Sequence, residues 1–168
     1  QLRVNEILHR DNLVYCHLPP IPAVKSVGKD QILFFHDGKI KTWEDLESFE
    51  IPDLDTDEAR KPLRDFVEVC HANNYASVVH TRCGISATYL AMGFEHFFLQ
   101  LMDDPDMVES LMRKYAEWTA RNVPMFAEIG FDVMWTSDDI AGKAGPLISP
   151  QLYEERFWPH VRKISDAI

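Results

Sequence analysis

The chain has no apolar run approaching the ~18 residues that cross a bilayer, and it carries no excess of basic charge. It has no internal repeat and no low-complexity tract. The first absence leaves no expected membrane span. The second argues against nucleic acid, because 17 Lys and Arg against 27 Asp and Glu give a net charge of −10, a field that repels phosphate backbones. Residues 1–10 lack a basic start followed by an apolar stretch, so no secretion signal is expected. Cysteine is sparse: Cys16, Cys70 and Cys83 are an odd number without paired spacing, which fits reduced thiols in a cytoplasmic protein. Glycine is also scarce, at 7 residues, and Gly142-Lys143-Ala144-Gly145 has neither the Walker nor the dinucleotide spacing, so no phosphate loop is expected.

What is present is ordinary globular composition, 46% hydrophobic and 26% charged. We read residues 1–168 as a single domain, with 1–54 a hairpin and loop lead-in and 55–168 a series of βα units. In the lead-in, Leu13–His17 is an apolar strand stopped by Pro19 and Pro20. Gln31–Phe35 is another, with Asp37-Gly38 as the hairpin turn returning through Lys39–Lys41. Thr42 is placed to cap a short helix, with Asp45 at the capping-box position.

From residue 55 helix and strand alternate. Phe66, Val67, Cys70 and His71 predict an amphipathic helix over about Asp57–Asn73. Ala76–Thr81 reads as a strand of the buried parallel type. A helical pattern over Ile85–Met102 is weakened at Gly93. Asp104-Pro105 pairs a capping residue with a first-turn proline. The helix it starts carries one stripe, Met107, Val108, Leu111, Met112, Tyr115, Trp118 and Thr119, until Pro124, which should kink or divide it. Asp132–Thr136 is a second parallel strand, Ser137–Leu147 a loop, and Ser149-Pro150 opens a last helix carrying Leu152, Phe157, Val161 and Ile164. Parallel strands joined by crossover helices mean a doubly wound sheet or a closed barrel.

In either fold, reactive groups gather beyond the carboxyl ends of the strands. Past the first βα strand sit His80, Thr81, Arg82 and Cys83; past the second sit Ser137, Asp138 and Asp139. Adjacent carboxylates repel, so Asp138-Asp139 can hold one member neutral or paired with a cation, either of which suits acid/base work. The plainer alternative is that one caps a turn while the other is solvated. Tyr89 is placed to donate to a carboxylate or to developing charge; its plainer role is core packing with the hydroxyl on a backbone carbonyl. His80-x-x-Cys83 and Cys16-His17 invite a metal reading, but each supplies only two ligands where trustworthy zinc patterns supply four. No metal is assigned within the chain. His80, Arg82 and Ser137 are instead candidate substrate-binding groups at the mouth of the fold.

Three segments carry a resemblance. They are Gly93-Phe94-Glu95-His96-Phe97-Phe98 running into Asp103-Asp104-Pro105-Asp106-Met107-Val108; Gly130-Phe131-Asp132-Val133-Met134-Trp135 into Asp138-Asp139; and Gly145-Pro146-Leu147-Ile148-Ser149-Pro150-Gln151-Leu152-Tyr153. In this order, across roughly residues 40–168, they resemble the uroporphyrinogen-decarboxylase-like superfamily. The resemblance implies an α/β fold that is part of a (β/α)8 TIM barrel. It also implies either methyl transfer to thiols, as in the corrinoid-linked methyltransferases, or porphyrinogen decarboxylation.

Thr88-Tyr89 matches a Thr-Tyr pair that the decarboxylases place over their substrate, and Ser137–Asp139 resembles the polar residues after a later strand. Asp138-Asp139 with the Gly-Pro-Leu-Ile-Ser-Pro loop is closer to the methyltransferases. The chain departs from both groups: nothing before Asp30 matches the arginine-bearing motif of the decarboxylases, and no His-x-Cys motif of the methyltransferases follows the last helix. A barrel usually takes about 250 residues. We therefore expect a fragment of a longer cytoplasmic enzyme, with catalytic Asp138, Asp139 and Tyr89. Its substrate is expected to be a small molecule, no cofactor is expected within this segment while the resemblance allows zinc and a corrinoid in the intact protein, and a corrinoid protein or a second copy is an expected partner. A non-catalytic binding or scaffold barrel is the remaining alternative.

Overall fold

A computed structural model describes residues 2–54 and 56–168. Gln1 and the expected boundary at residue 55 lie outside the described residues. The fold is α/β, part of a (β/α)8 barrel, built on a parallel sheet of three strands in the order β1-β4-β5. These are β1 (Asn12–Cys16), β4 (Ala76–Thr81) and β5 (Val133–Thr136). Cys16 lies opposite His80, and His80 opposite Trp135. The ladders continue past the strand ends, with His17 N donating to His80 O at 2.8 Å and Ser137 N to Thr81 O at 3.1 Å. The strand expected at Leu13–His17 is thus the first member of the parallel sheet, in a region read as lead-in. Its length of 5 residues and the prolines beyond it gave no sign of its partner.

Alternation along the strands sorts their side chains into two layers. One face packs on helices: Val79, fully buried, meets Leu63, Met125 and Phe126, with Tyr15 and Met134 against them. The other face carries Cys16, His80, Val133 and Trp135, and the last two are 49% and 52% exposed.

Two further readings of the first fifty residues are corrected. Residues Leu2–Leu8 form a helix, α1, where extended chain was expected. The hairpin exists, but it joins β2 (Ala23–Val27) to β3 (Leu33–Gly38), so its turn lies around Gly28–Ile32 and not at Asp37-Gly38. Asp37-Gly38 ends the second strand because of what it meets. A Cβ on Gly38 would run into the backbone of Ala91–Gly93.

That contact splits the predicted Ile85–Met102 helix in two, α4 (Ile85–Met92) and α5 (Phe94–Asp103). Gly93 between them adopts φ +83°, a conformation that side chains rarely take. The carbonyls that α4 leaves open are taken by the chain leaving the hairpin. Ile40 N donates to Ala91 O at 2.9 Å, and Lys41 Nζ donates to Met92 O at 2.7 Å, placing a cation at a helix C-terminus.

Thr42 and Asp45 form a reciprocal capping box on α2 (Trp43–Ser48). Helix α3 (Asp57–Ala72) starts from Thr56 and ends at Asn73, as the periodicity predicts. Asp104 caps the 25-residue α6 (Pro105–Ile129) by accepting from Met107 N, and the predicted stripe from Met107 to Thr119 is buried. The helix runs through Pro124 undivided. Packing on both sides of the proline, by Val123, Met125 and Phe126, holds the two halves together. The loop after β5 contains a small antiparallel pair, β6 (Ala141–Gly142) and β7 (Gly145–Pro146). Ser149 then caps α7 (Pro150–Leu152), which passes through a π-helical turn at Tyr153–Phe157 into α8 (Trp158–Asp166). Among the described residues no helix is long and apolar enough to cross a membrane.

At the amino end of the sheet, Asp132 accepts from Ser77 N at 2.8 Å, Ser77 Oγ at 2.7 Å and His71 Nε2 at 2.9 Å. All three donors address Oδ2, so the group clamps β4, β5 and α3 together. These bonds, Ser77 N first, hold the carboxyl down at about 2, below its ordinary 3.8. A depressed acid stabilises the fold above its unfolded pKa and loses that contribution as pH falls through its folded one. Urea unfolding should therefore show Asp132→Asn less stable than wild type at neutral pH, with the gap closing as pH falls from 3.8 towards about 2. Gly38→Ala should cost about 3 kcal/mol in the same assay, at the upper end for overpacking, since backbone and not a flexible side chain stands in the way.

Candidate functional site at the carboxyl rim of the sheet

Helix α4 begins at Gly84, which has no side chain with which to cap it. The cap comes instead from Asp138, across the sheet. Its Oδ2 accepts from Ile85 N at 2.9 Å, and its Oδ1 accepts from Ser86 N at 3.2 Å and from the Ser86 hydroxyl. Arg82 Nη1 donates to the same hydroxyl at 2.5 Å, which links cation, hydroxyl and carboxylate in one chain. Burial nonetheless pushes the Asp138 pKa up, against the downward pull of Ser86, the two amides and Arg82. The pair Asp138-Asp139 is split in role: Asp138 braces the helix, and Asp139 is exposed.

Tyr89, 8% exposed, donates to the backbone carbonyl of Asp139 at 3.2 Å, not to a carboxylate. Burial first and the Asp139 charge second push the phenol up to about 12, so it stays a donor. Tyr153 does the same one residue on, giving its hydroxyl to Ile140 O at 3.0 Å. The two phenols thereby hold the start of the loop that carries the aspartates.

His80 and Ser137 are brought together, with His80 Nε2 2.7 Å from Ser137 Oγ. The imidazole lies over Trp135, ring centroids 4.7 Å apart. Burial, then Arg82, lowers its pKa, with Asp138 opposing, so the ring is neutral at pH 7. On its other side Nδ1 faces the Cys16 thiol at 3.8 Å.

The His-x-x-Cys spacing does not form a ligand pair of its own. His80 engages Cys16 and Ser137, while Cys83 hydrogen-bonds Thr136 and has its thiol pKa raised by burial. His17 stacks on Trp118 with ring centroids 5.5 Å apart and planes nearly parallel. Among the described residues no group of three or more His, Cys, Asp or Glu is placed to hold a metal ion.

Cys16, Ser86, Trp135 and Tyr153 were not among the predicted site residues. The register that pairs β1 with β4 is what brings Cys16 to the rim, and the only sequence signal for it was a polar pair closing an apolar strand. Ser86 sits in the first turn of α4, where hydroxyls are common, and nothing local marks its partner.

The family model for uroporphyrinogen decarboxylase (URO-D) matches residues 26–168. The chain belongs to this family. No curated protein matches it. Among solved structures, a methyltransferase from Methanosarcina mazei superposes with a TM-score of 0.64 at 15% identity, over 99% of this chain and 51% of its own. The likeness is one of fold, and this URO-D family chain spans about half the length of that structure.

The brace on α4 predicts different costs for the two aspartates. Asp138→Ala leaves two helix amides and a buried hydroxyl without their acceptor and should lower stability by about 2 kcal/mol. Asp139→Ala, which removes only an exposed carboxylate, should stay within about 0.5 kcal/mol of wild type. Chemical denaturation of the two variants side by side measures the difference.

Proposed function

We propose that the protein is a methyltransferase-type member of its family, moving a methyl group from a corrinoid-borne or similar donor to a small thiol, in a cytoplasmic setting. The observation that carries this reading is the scarcity of cations at the rim. Of the residues directly after the three strands, His17–Pro20, Arg82–Gly84 and Ser137–Asp139, Arg82 alone is a Lys or Arg. A substrate bearing several carboxylates needs a cationic cradle, whereas a methyl donor and a neutral thiol do not. The solved methyltransferase with the same fold is consistent with this choice.

In this reading Arg82 and Tyr89 orient the substrate from the α4 side, His80 and Ser137 supply polar contacts from the strand ends, and Asp139 offers an exposed base. Asp138 acts by holding α4, and therefore Arg82 and Tyr89, in place. No step is assigned to a metal among these residues.

The full-length protein should catalyse loss of the methyl–cobalt absorbance of methylcobalamin together with formation of a methyl thioether from a small thiol. The Asp138→Asn/Asp139→Asn double variant should lose at least about tenfold in turnover. Unchanged turnover would remove the carboxylates from the mechanism. Release of carbon dioxide from a porphyrinogen, with no methyl transfer, would replace this reading by decarboxylation.

A further inference from the structure

Three adjacent strands each bring one reactive group to the same face of the sheet. Cys16 ends β1, His80 lies opposite it on β4, and Ser137 follows β5. The separations are 3.8 Å from Cys16 Sγ to His80 Nδ1 and 2.7 Å from His80 Nε2 to Ser137 Oγ. A nucleophile within reach of a base, and the base held by a third group, is the arrangement that activates a thiol.

We propose that Cys16 is a nucleophilic thiol that takes up alkyl groups from small electrophiles, with His80 as its base and Ser137 as the residue that orients the base. The inference does not rest on the methyl-transfer reading. With Nε2–H donating to Ser137 Oγ, Nδ1 presents its lone pair to the thiol. The Cys16 S–H proton passes to Nδ1 as the sulfur forms a bond to an sp3 carbon. The leaving group departs with the electrons of the bond it breaks, and the imidazolium then releases its proton to water. The net change is thiol plus alkyl electrophile to thioether plus the protonated leaving group.

The surroundings suit a neutral base. Trp135 covers one side of the ring, and the charged groups facing it are Arg82, just past the end of its own strand, and Asp138, from the loop after β5. Cys16 lies at the carboxyl end of β1 and is exposed in this part of the barrel. Cys70, fully buried, and Cys83, half-buried with its pKa raised, are built-in controls.

The experiment follows iodoacetamide labelling of each cysteine in the full-length protein by peptide mass spectrometry between pH 5.5 and 9. In wild type, Cys16 should label fastest, with a rate that falls only shallowly below pH 7.5. In His80→Gln the rate at pH 7 should drop at least about tenfold. It should then rise steeply with pH, where the wild-type rate rises shallowly. Ser137→Ala should fall between the two. Cys70 labelling reports unfolding, and if Cys70 becomes reactive in His80→Gln, the Ser137→Ala protein carries the decision. Superimposable pH profiles for wild type and His80→Gln, or for wild type and Ser137→Ala where the former is unfolded, would overturn the proposal.

Discussion

The site depends on one carboxylate set against the amino end of a helix that cannot cap itself. Asp138 accepts from two amides and a hydroxyl at the start of α4, and so welds the exit of β5 to the βα unit of β4. An α4 of 8 residues is too short to stand on its own backbone hydrogen bonds. Its other end is equally dependent, because its open carbonyls are met by Ile40 and Lys41 from the chain leaving the β2–β3 hairpin. Segments some fifty residues away on either side therefore close both termini of the helix that positions Tyr89.

This brace also sets the electrostatics of the rim. Burial raises the Asp138 pKa while Arg82 and Ser86 pull it down, and the same Arg82 helps to lower that of His80. Guanidinium, carboxylate and imidazole are thus one coupled group spread over two strand ends. Asp139, pointing to solvent, stands outside it. Two neighbours in sequence, alike in chemistry, do different work because the residue after a strand end can turn either towards the helix layer or away from it.

Much of the architecture was legible in the sequence. Ala76–Thr81 and the caps at Thr42, Asp104 and Ser149 lie where local chemistry puts them, and Asp132–Thr136 differs from β5 by one residue. Caps and short buried strands are local events that few residues specify. What escaped was non-local. Asp37-Gly38 has the composition of a hairpin turn, yet its glycine serves a close approach to Ala91–Gly93, more than fifty positions on. Leu13–His17 was visible as a strand, but only its pairing made it part of the sheet. At the rim, His80, Arg82 and Ser137 lie at or just past the strand ends, as their positions in the sequence predict, and His80 and Ser137 touch. Tyr89, by contrast, finds a carbonyl where a carboxylate was sought, a choice that no spacing in the sequence encodes.

Strand β5 has 4 residues and is fastened at both ends. Asp132 is clamped by Ser77 and His71 at its start, while Ser137 and Asp138 are tied to β4 and α4 at its finish. Its register is consequently locked like a bolt with a nut on each thread. Sliding it by one residue would trade Met134 for Trp135 against the helices and turn the brace on α4 away from its target. Evolution can lengthen the β6–β7 loop without disturbing this alignment, but the seven positions from Asp132 to Asp138 form a fixed-length ruler between the two ends of the sheet.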